Sequence, residues 1–354
     1  MPALFGEDGV VGGAERYAFE LARNMAEITP TRLVTFGRRD ASFTEGRLDI
    51  RVVGNPLFVR GQPNNPVSLE LLRELRESEV VHCHQQHVVA SSLAALFCRS
   101  TGRRIFVTDL GGGGWDISGY LSTDRWYHGH LHISEYSRKI SGHARKMRAE
   151  VISGGVDTSK FCPDETVARE GIVLFVGRLM PHKGVNDLIN ALPSELKLEI
   201  IGQAYDSRFY GDLKRLAEGK RIVFRHNCGD GDLVQAYRRA LCVVLPSVYR
   251  TIYGQETEIP ELLGQTLLEG MACGTPVICT DVASMPEIVE EGVTGFVVPP
   301  NNPSALGERI RWLSEHPADA DRIGKAARRS VLDRFTWPQV VRRCLDIYGA
   351  GISK

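Results

Sequence analysis

The sequence lacks several features that would assign it to a functional class at once. It has no excess of either charge, because 43 lysines and arginines balance 43 aspartates and glutamates among 354 residues. No global field therefore draws the protein to nucleic acid or to a membrane, and we expect no nucleic-acid partner. We also expect no signal peptide, and no apolar run of the sequence approaches the roughly 20 residues that a membrane span needs. We expect a cytoplasmic protein, soluble or peripheral on the cytoplasmic membrane face.

The cysteines are equally uninformative as a motif. There are eight of them, they lie mostly in apolar segments, and no CxxC pair occurs. This usage predicts reduced thiols. Tandem repeats, low-complexity tracts and long charge blocks are absent as well, so we expect a chain that is ordered nearly from end to end.

What the sequence does contain is a regular alternation of short aliphatic runs with helical patterns. This alternation predicts an α/β fold in which parallel sheets are covered by helices. A second set of runs restarts at Gly171, after the glycines and prolines of 154–163. We therefore predict two doubly wound, Rossmann-like domains, 1–154 and 155–334. A helix opens near Ala14 with only a stub before it, so the first strand is short or truncated.

The segment VLFVGRLMPHKG passes from a strand through a loop into a helix that begins near Gly184. Arg178 and Lys183 then emerge at the carboxyl end of the second sheet, which is the edge where open α/β sheets bind ligands. One guanidinium and one ammonium suit a diphosphate, because fixed cations neutralise its charge without a metal. Two solvated cations in a loop are the alternative.

Two glutamates, Glu261 and Glu269, lie eight positions apart in ELLGQTLLEGMACGTPVICT. The residues between them would form the first turn of a helix, where backbone N–H groups bind phosphate oxygens. The residues predicted to make these phosphate contacts are Gly264, Gln265, Thr266 and Leu267. A glutamate pair at this spacing is common on solvated helix faces, and only the flanking motifs make it specific.

These segments resemble the retaining glycosyltransferases of family 4, which have the GT-B architecture. The resemblance spans nearly the whole chain, from GGAERYAFELA at Gly12 through VVHCH, HISEYSR, SGGVD and GRLMPHKG to FTWPQVVRR at Phe335. It implies two Rossmann-like domains that face each other across a cleft. The acceptor would bind the amino-terminal domain and the nucleotide sugar the carboxyl-terminal domain. A final helix, 335–354, would pack back on the amino-terminal domain.

The resemblance also implies a reaction. A sugar would pass from a nucleotide diphosphate, with UDP favoured over GDP, to a hydroxyl of a glycan, a lipid-linked or a small-molecule acceptor, with retention at the anomeric carbon. The β-phosphate oxygen would take up the proton, so no cofactor and no metal are required. In that family the two cations hold the diphosphate, the first glutamate contacts the transferred sugar and the second the ribose. The donor residues carried over in this way are Gly12, Gly13, Arg178, Lys183, Glu261 and Glu269.

One departure from the family pattern concerns a histidine that commonly follows the fifth amino-terminal strand. Here the stretch is VTDLGGGGWD, and Leu110 stands where that histidine is expected. Asp109 is the natural substitute as a catalytic residue, and the glycines that follow it allow close backbone approach beside the cleft. A flexible loop without a catalytic part is the alternative.

A second departure is the long connection before Glu261, which adds about ten residues at 249–260. Tyr253 in this loop is a candidate for contact with the acceptor. A tolerated surface insertion is the alternative.

Histidines gather at two places, His82, His84 and His87 near one strand and His128, His130 and His132 before another. No carboxylate or cysteine occupies an obvious position to complete a tetrahedral site, so we predict no metal. His84 is instead a candidate for acceptor binding.

The segment 135–148 is basic and is predicted to be a helix that could dock on anionic lipid, with a solvated face as the alternative.

Two other functions compete with sugar transfer. A GT-B-fold sugar-nucleotide epimerase or hydrolase would share the phosphate site but needs well-placed acids or bases. A non-catalytic nucleotide-sugar-binding protein is the reading favoured by Leu110 and by the long loop.

Overall fold

The computed structural model describes residues 13–111, 114–143 and 148–350. The chain divides into an amino-terminal unit, Met1–Gly155 with Trp337–Lys354, and a carboxyl-terminal unit, Val156–Thr336. The stub before the first helix lies outside the described residues. No helix in the described ranges is both long and apolar enough to cross a membrane.

The amino-terminal unit contains a parallel sheet and a smaller mixed sheet. The parallel sheet has the order β6-β7-β8-β9, and the mixed sheet has the order β1-β3-β2 with β1 and β3 parallel. Its strands are β1 (Arg32–Gly37), β2 (Ala41–Glu45), β3 (Leu48–Gly54), β4 (Leu57–Phe58), β5 (Pro66–Val67), β6 (Val80–Cys83), β7 (Arg104–Val107), β8 (Gly129–His132) and β9 (Ala149–Val151). Its first four helices are α1 (Gly13–Ala26), α2 (Leu71–Glu74), α3 (Val89–Ser100) and α4 (Glu135–Ile140).

The carboxyl-terminal unit is built on six parallel strands in the order β12-β11-β10-β13-β14-β15. The strands are β10 (Ile172–Val176), β11 (Lys197–Ile201), β12 (Ile222–Arg225), β13 (Cys242–Leu245), β14 (Val277–Thr280) and β15 (Gly295–Val298). The helices are α5 (Val185–Ala191), α6 (Ser207–Leu216), α7 (Asp230–Arg239), α8 (Gln265–Ala272), α9 (Pro303–Glu315) and α10 (Pro317–Arg334). Every residue of β10, β13 and β14 is buried, as expected for strands covered by helices on both faces. The order reverses between β10 and β13, which makes that point the topological switch point of the sheet.

The last helix, α11 (Trp337–Ala350), belongs to the amino-terminal unit. The Trp337 ring lies 5.3 Å from that of Tyr17 on α1, and the Tyr348 hydroxyl is 2.6 Å from Nδ1 of His82. A Cβ on Gly155 would come within 2.4 Å of the Trp337 ring, so only glycine fits where the chain passes this helix.

The prediction of a helix over 135–148 is wrong in the extent of the helix. Helix α4 ends at Ile140, because Gly142 adopts a left-handed conformation with φ of 71°. Arg145 and Lys146 lie outside the described residues, and Arg138 is paired with Glu135 at 2.7 Å. A continuous basic helical face is therefore not formed by the part of this segment that the structure describes.

The start of α5 requires a glycine, and this requirement can be measured. Gly184 has φ of 65°, and a Cβ there would lie 1.9 Å from the carbonyl oxygen of Pro246. Gly219 has φ of 73° with open space around it, so it is a matched control. We expect Gly219→Ala to cost about 1 kcal/mol of unfolding free energy and Gly184→Ala at least about 2 kcal/mol more, by denaturant titration. Equal losses would contradict the close approach.

Candidate functional site

The predicted donor residues of the carboxyl-terminal unit follow the two strands at the switch point of its sheet. Arg178 and Lys183 follow β10, and Glu261 and the start of α8 follow β13. These two strands are neighbours, so their carboxyl ends open into the crevice where such folds bind ligands. Two motifs that are far apart in sequence are thereby brought to one place.

Lys183 and Glu261 form a direct ion pair. The ammonium nitrogen lies 2.6 Å from Oε2 of Glu261 and also donates to the carbonyl of Pro260 at 3.2 Å. The two side chains are only 10% and 16% exposed, so the pair is largely shielded from water. An ammonium has three N–H donors, and these two contacts leave one donor for a ligand.

The charge state of Glu261 follows from its neighbours. Burial opposes ionisation, but Lys183 and the amide of Gly264, which donates to Oε1 at 3.3 Å, outweigh it and hold the pKa of Glu261 below its ordinary value. The carboxylate is therefore ionised at neutral pH and is a weak base. It suits a hydrogen-bond acceptor for sugar hydroxyls better than a proton-transfer group.

Helix α8 opens with Gly264, which caps it in a left-handed conformation with φ of 79°. A Cβ on Gly264 would lie 3.2 Å from Cδ1 of Leu267, so the turn is tightly packed. The amide of Leu267 donates to the carbonyl of Gly264 at 2.9 Å. The amide of Leu267, one of the predicted phosphate donors, is therefore already bonded within the helix. Gln265 and Thr266 are the first two residues of the helix, at its amino-terminal end.

Glu269 lies on the same helix and is 3% exposed. Its Oε2 accepts a hydrogen bond of 2.8 Å from the Tyr237 hydroxyl on α7. Sequence reasoning missed Tyr237, because Tyr237 and Glu269 are 32 positions apart and no local motif links them. This bond fixes the carboxylate of Glu269 before any ligand arrives.

Arg178 differs from Lys183 in being exposed. Its guanidinium lies 5.8 Å from the ring centre of Tyr205 and has no carboxylate partner among the described residues. His182 stands beside these cations, and its burial together with the charges of Lys183 and Arg178 lowers its pKa to about 4. The positive charge at this edge is therefore held by Arg178 and Lys183, and His182 is neutral at pH 7.

The loops after β11 and β12 are tied together at the same edge of the sheet. His226 bonds through Nδ1 to the carbonyl of Gly202 at 2.7 Å and through Nε2 to the Tyr210 hydroxyl at 2.8 Å. Gln203 donates to the carbonyl of His226 at 2.6 Å. Residues 224–228, which we expect to border the nucleotide base, are thus held in a defined conformation.

The loop 249–260 is anchored within the carboxyl-terminal unit. The Tyr253 hydroxyl donates to Asp212 on α6, and its ring lies beneath the guanidinium of Arg208 at 4.3 Å. The Tyr249 hydroxyl accepts from the amide of Ala283 at 2.8 Å. Tyr253, a candidate acceptor contact, thus has its hydroxyl engaged by α6, and the anchored loop delivers Pro260 and Glu261 to Lys183.

In the amino-terminal unit, Leu110 is buried and Asp109 is the more accessible of the two. Asp109 accepts from the amide of Gly111 at 3.2 Å, and its Oδ2 lies 3.7 Å from Nε2 of His87. The position that a histidine commonly occupies in relatives is thus a core position here. A histidine does approach Asp109, but it comes from the end of β6.

His84 also follows β6. Its ring lies 4.4 Å from that of His82, its Nδ1 is buried without a hydrogen-bond partner among the described residues, and burial lowers its pKa to about 4. A neutral imidazole with such a nitrogen suits the hydroxyl of an acceptor. Gly13 begins α1, and no atom of the described part of the chain lies within 4 Å of its ideal Cβ position. Gly12 lies outside the described residues.

Three polar side chains, including that of Asp124, converge at a place where the sequence indicated no completing ligand for a metal. Ligand atoms of Asp124, His130 and His143 all lie within 4.8 Å of one another. The sequence shows no carboxylate at an obvious completing position, and the fold brings Asp124 to His130 and His143. Asp124 precedes β8 and is brought back to it by the short helical turn Asp124–Trp126, which histidine spacing alone does not reveal.

Comparison with known proteins shows which proteins these features resemble. The profile described as "Glycosyl transferases group 1" matches residues 163–330, which include all the predicted donor residues of the carboxyl-terminal unit. The chain is 33% identical to alpha-maltose-1-phosphate synthase of Mycobacterium tuberculosis, over 56% of this chain and 56% of that protein. It is 29% identical to D-inositol 3-phosphate glycosyltransferase of Streptomyces bingchenggensis, over 56% and 47%. The chain thus spans about half the length of these curated relatives.

Solved structures match over nearly the whole chain. HepE of Anabaena, in complex with UDP and glucose, aligns with a TM-score of 0.76 at 20% identity over 97% of both chains. Sucrose-phosphate synthase of Thermosynechococcus elongatus aligns with a TM-score of 0.74 at 20% identity, over 97% of this chain and 94% of that one. These likenesses confirm the predicted GT-B fold of two Rossmann-like domains. Residues 163–330 thus match the profile of glycosyl transferases group 1, and the fold of the chain is the GT-B fold.

Proposed function

We propose that the protein is a retaining glycosyltransferase that transfers a sugar from a nucleotide diphosphate, with UDP as the favoured nucleotide, to an acceptor hydroxyl. The observation that carries this proposal is the Lys183–Glu261 pair at the switch point, beside the mouth of α8. A cation, a helix mouth and a fixed carboxylate together match the diphosphate and the hydroxyls of a nucleotide sugar. UDP is favoured because the structure of HepE holds UDP.

The cations and the carboxylate of the site have different roles in the proposed reaction. Departure of the nucleotide builds negative charge on the β-phosphate, and Lys183, Arg178 and the amides at the start of α8 are placed to stabilise that charge. Glu261 holds Lys183 in position and accepts hydrogen bonds from the sugar. The β-phosphate oxygen takes the acceptor's proton on the same face, so the reaction uses no added metal and no side-chain base.

The ionised Glu261 also separates this proposal from its competitors. An epimerase or hydrolase requires a group that gives or takes a proton near neutral pH, and the pKa of Glu261 is held below its ordinary value. A non-catalytic binding protein would have no need for a charged pair aimed at the leaving phosphate. We assign the acceptor, a glycan, lipid-linked or small-molecule hydroxyl, to the amino-terminal unit, where His84 and Asp109 are the candidate contacts.

A thermal-shift panel with UDP, GDP, ADP and uridine tests the proposal. A nucleotide at 100 times its Kd adds about 2.7 kcal/mol to stability, so UDP is expected to raise the Tm by several degrees. Uridine lacks the diphosphate and is expected to shift the Tm far less. A response to GDP or ADP alone would overturn only the choice of base. No response to any diphosphate would overturn the donor site itself.

A further inference from the structure

The amino-terminal unit contains a buried cluster of histidines that the transfer reaction does not use. His130 lies on β8, and His143 lies just beyond α4. Both are at most 5% exposed, and Asp124 approaches them from the helical turn before β8. The ligand atoms of these three residues lie within 4.8 Å of one another.

We propose that Asp124, His130 and His143 bind one zinc ion that stabilises the amino-terminal unit. Two imidazoles and a carboxylate are a donor set that zinc accepts, whereas magnesium and calcium prefer oxygen ligands alone. Zinc–ligand bonds of about 2.0–2.2 Å place tetrahedral ligands about 3.3 Å apart. Nε2 of His143 and Oδ1 of Asp124 are 3.4 Å apart. These two atoms therefore already have the spacing of two ligands of one tetrahedral zinc ion.

The surroundings of the cluster match those of metal ligands. Nδ1 of His143 faces Nε2 of His132 at 3.2 Å, so His132 can fix the ring that presents Nε2 to the ion. Nε2 of His130 lies 3.1 Å from the carbonyl of Asp124, which can only accept, so the lone pair of the neutral ring is on Nδ1. Gln86 donates to Oδ1 of Asp124 at 3.0 Å. Outer hydrogen bonds of this kind orient ligands and set their tautomers.

Access and position agree with a structural ion. The Asp124 side chain is 27% exposed while that of His143 is 3% exposed, so solvent reaches the cluster from the carboxylate side and can supply water as a fourth ligand. An ion here would join β8, the turn Asp124–Trp126 and the residues after α4. These segments are separated in sequence, and a shared ligand would hold them together.

The test uses the full chain stripped of metal, with zinc chloride titrated by calorimetry. We expect one zinc per chain and a raised Tm. Asp124→Asn keeps the shape of the side chain and its hydrogen bond from Gln86, and His143→Gln keeps a similar side-chain volume. Each variant is expected to weaken zinc binding at least 100-fold. His132→Gln is expected to weaken it about 10- to 100-fold. His128 is two residues before His130 in the sequence and is not one of the proposed ligands. The control variant His128→Gln is expected to bind zinc as the wild type does.

Cobalt replaces zinc as a spectroscopic probe that does not depend on the folding of a variant. Bound Co²⁺ should give visible bands of nitrogen and oxygen coordination without thiolate charge transfer, because all three proposed ligands lack sulfur. Absence of stoichiometric zinc binding to the wild type would overturn the proposal, as would a thiolate band or zinc affinity that Asp124→Asn and His143→Gln leave unchanged. None of these results depends on the transfer reaction.

Discussion

Lys183→Met is expected to lower kcat/KM for sugar transfer by at least 100-fold and to lower stability as well. The activity falls because a fixed cation that faces the leaving phosphate contributes about 3 kcal/mol to the transition state. The stability falls by about 3 kcal/mol because Glu261 remains as a largely buried carboxylate without its partner. Both quantities are measurable on one preparation, by initial rates and by denaturant titration.

A double variant separates the two effects. Lys183→Met/Glu261→Gln removes both charges and keeps both side-chain volumes, so we expect stability within about 1 kcal/mol of the wild type. Activity should remain lost, because the phosphate cation is still missing. Recovery of both stability and turnover in the double variant would mean that the pair only supports the fold.

Glu269→Gln is expected to lower kcat/KM about 100-fold, mainly through a higher KM. The carboxylate is buried and held by Tyr237, and it would bind the ribose, which does not react, so ground state and transition state lose the same interaction. Steady-state kinetics with varied donor measure this split. A fall in kcat at unchanged KM would contradict the ribose assignment.

Two further variants serve as controls for Glu269. Tyr237→Phe removes only the hydroxyl that orients the carboxylate, so we expect a loss of several-fold in kcat/KM and about 1 kcal/mol in stability. Glu256→Gln changes an exposed glutamate in the loop before α8 and should leave the donor KM unchanged. An equal effect of Glu256→Gln would show that charge in general, and not the Glu269 position, matters.

The central strands β10 and β13 of the carboxyl-terminal sheet were predictable because they are apolar and buried throughout. Runs such as Ile172–Val176 and Cys242–Leu245 contain no residue that competes for another conformation. The hairpin of β2 and β3 was not predicted, because β2 is largely exposed and polar and β3 alternates between buried and half-buried positions. Apolar runs alone do not reveal the start of β8, since His130 and His132 are polar side chains buried in that strand.

The candidate site was predictable as a set of residues and not as a set of contacts. Motif spacing indicates Lys183 and Glu261 separately, but their ion pair joins residues 78 positions apart and depends on the order of β10 and β13. The hydrogen bond between Tyr237 and Glu269 could not be predicted from motif spacing for the same reason. Asp124 beside His143 escaped prediction for a related reason, since the fold and not local spacing brings the two together.

Calorimetric titration of UDP into the wild type and into Lys183→Met/Glu261→Gln tests the central claim most directly. The claim is that the diphosphate binds at the switch point of the carboxyl-terminal sheet against Lys183. We predict one UDP per wild-type chain and an affinity at least 100-fold weaker for the folded double variant. Equal affinities for UDP would contradict the claim and place the diphosphate elsewhere.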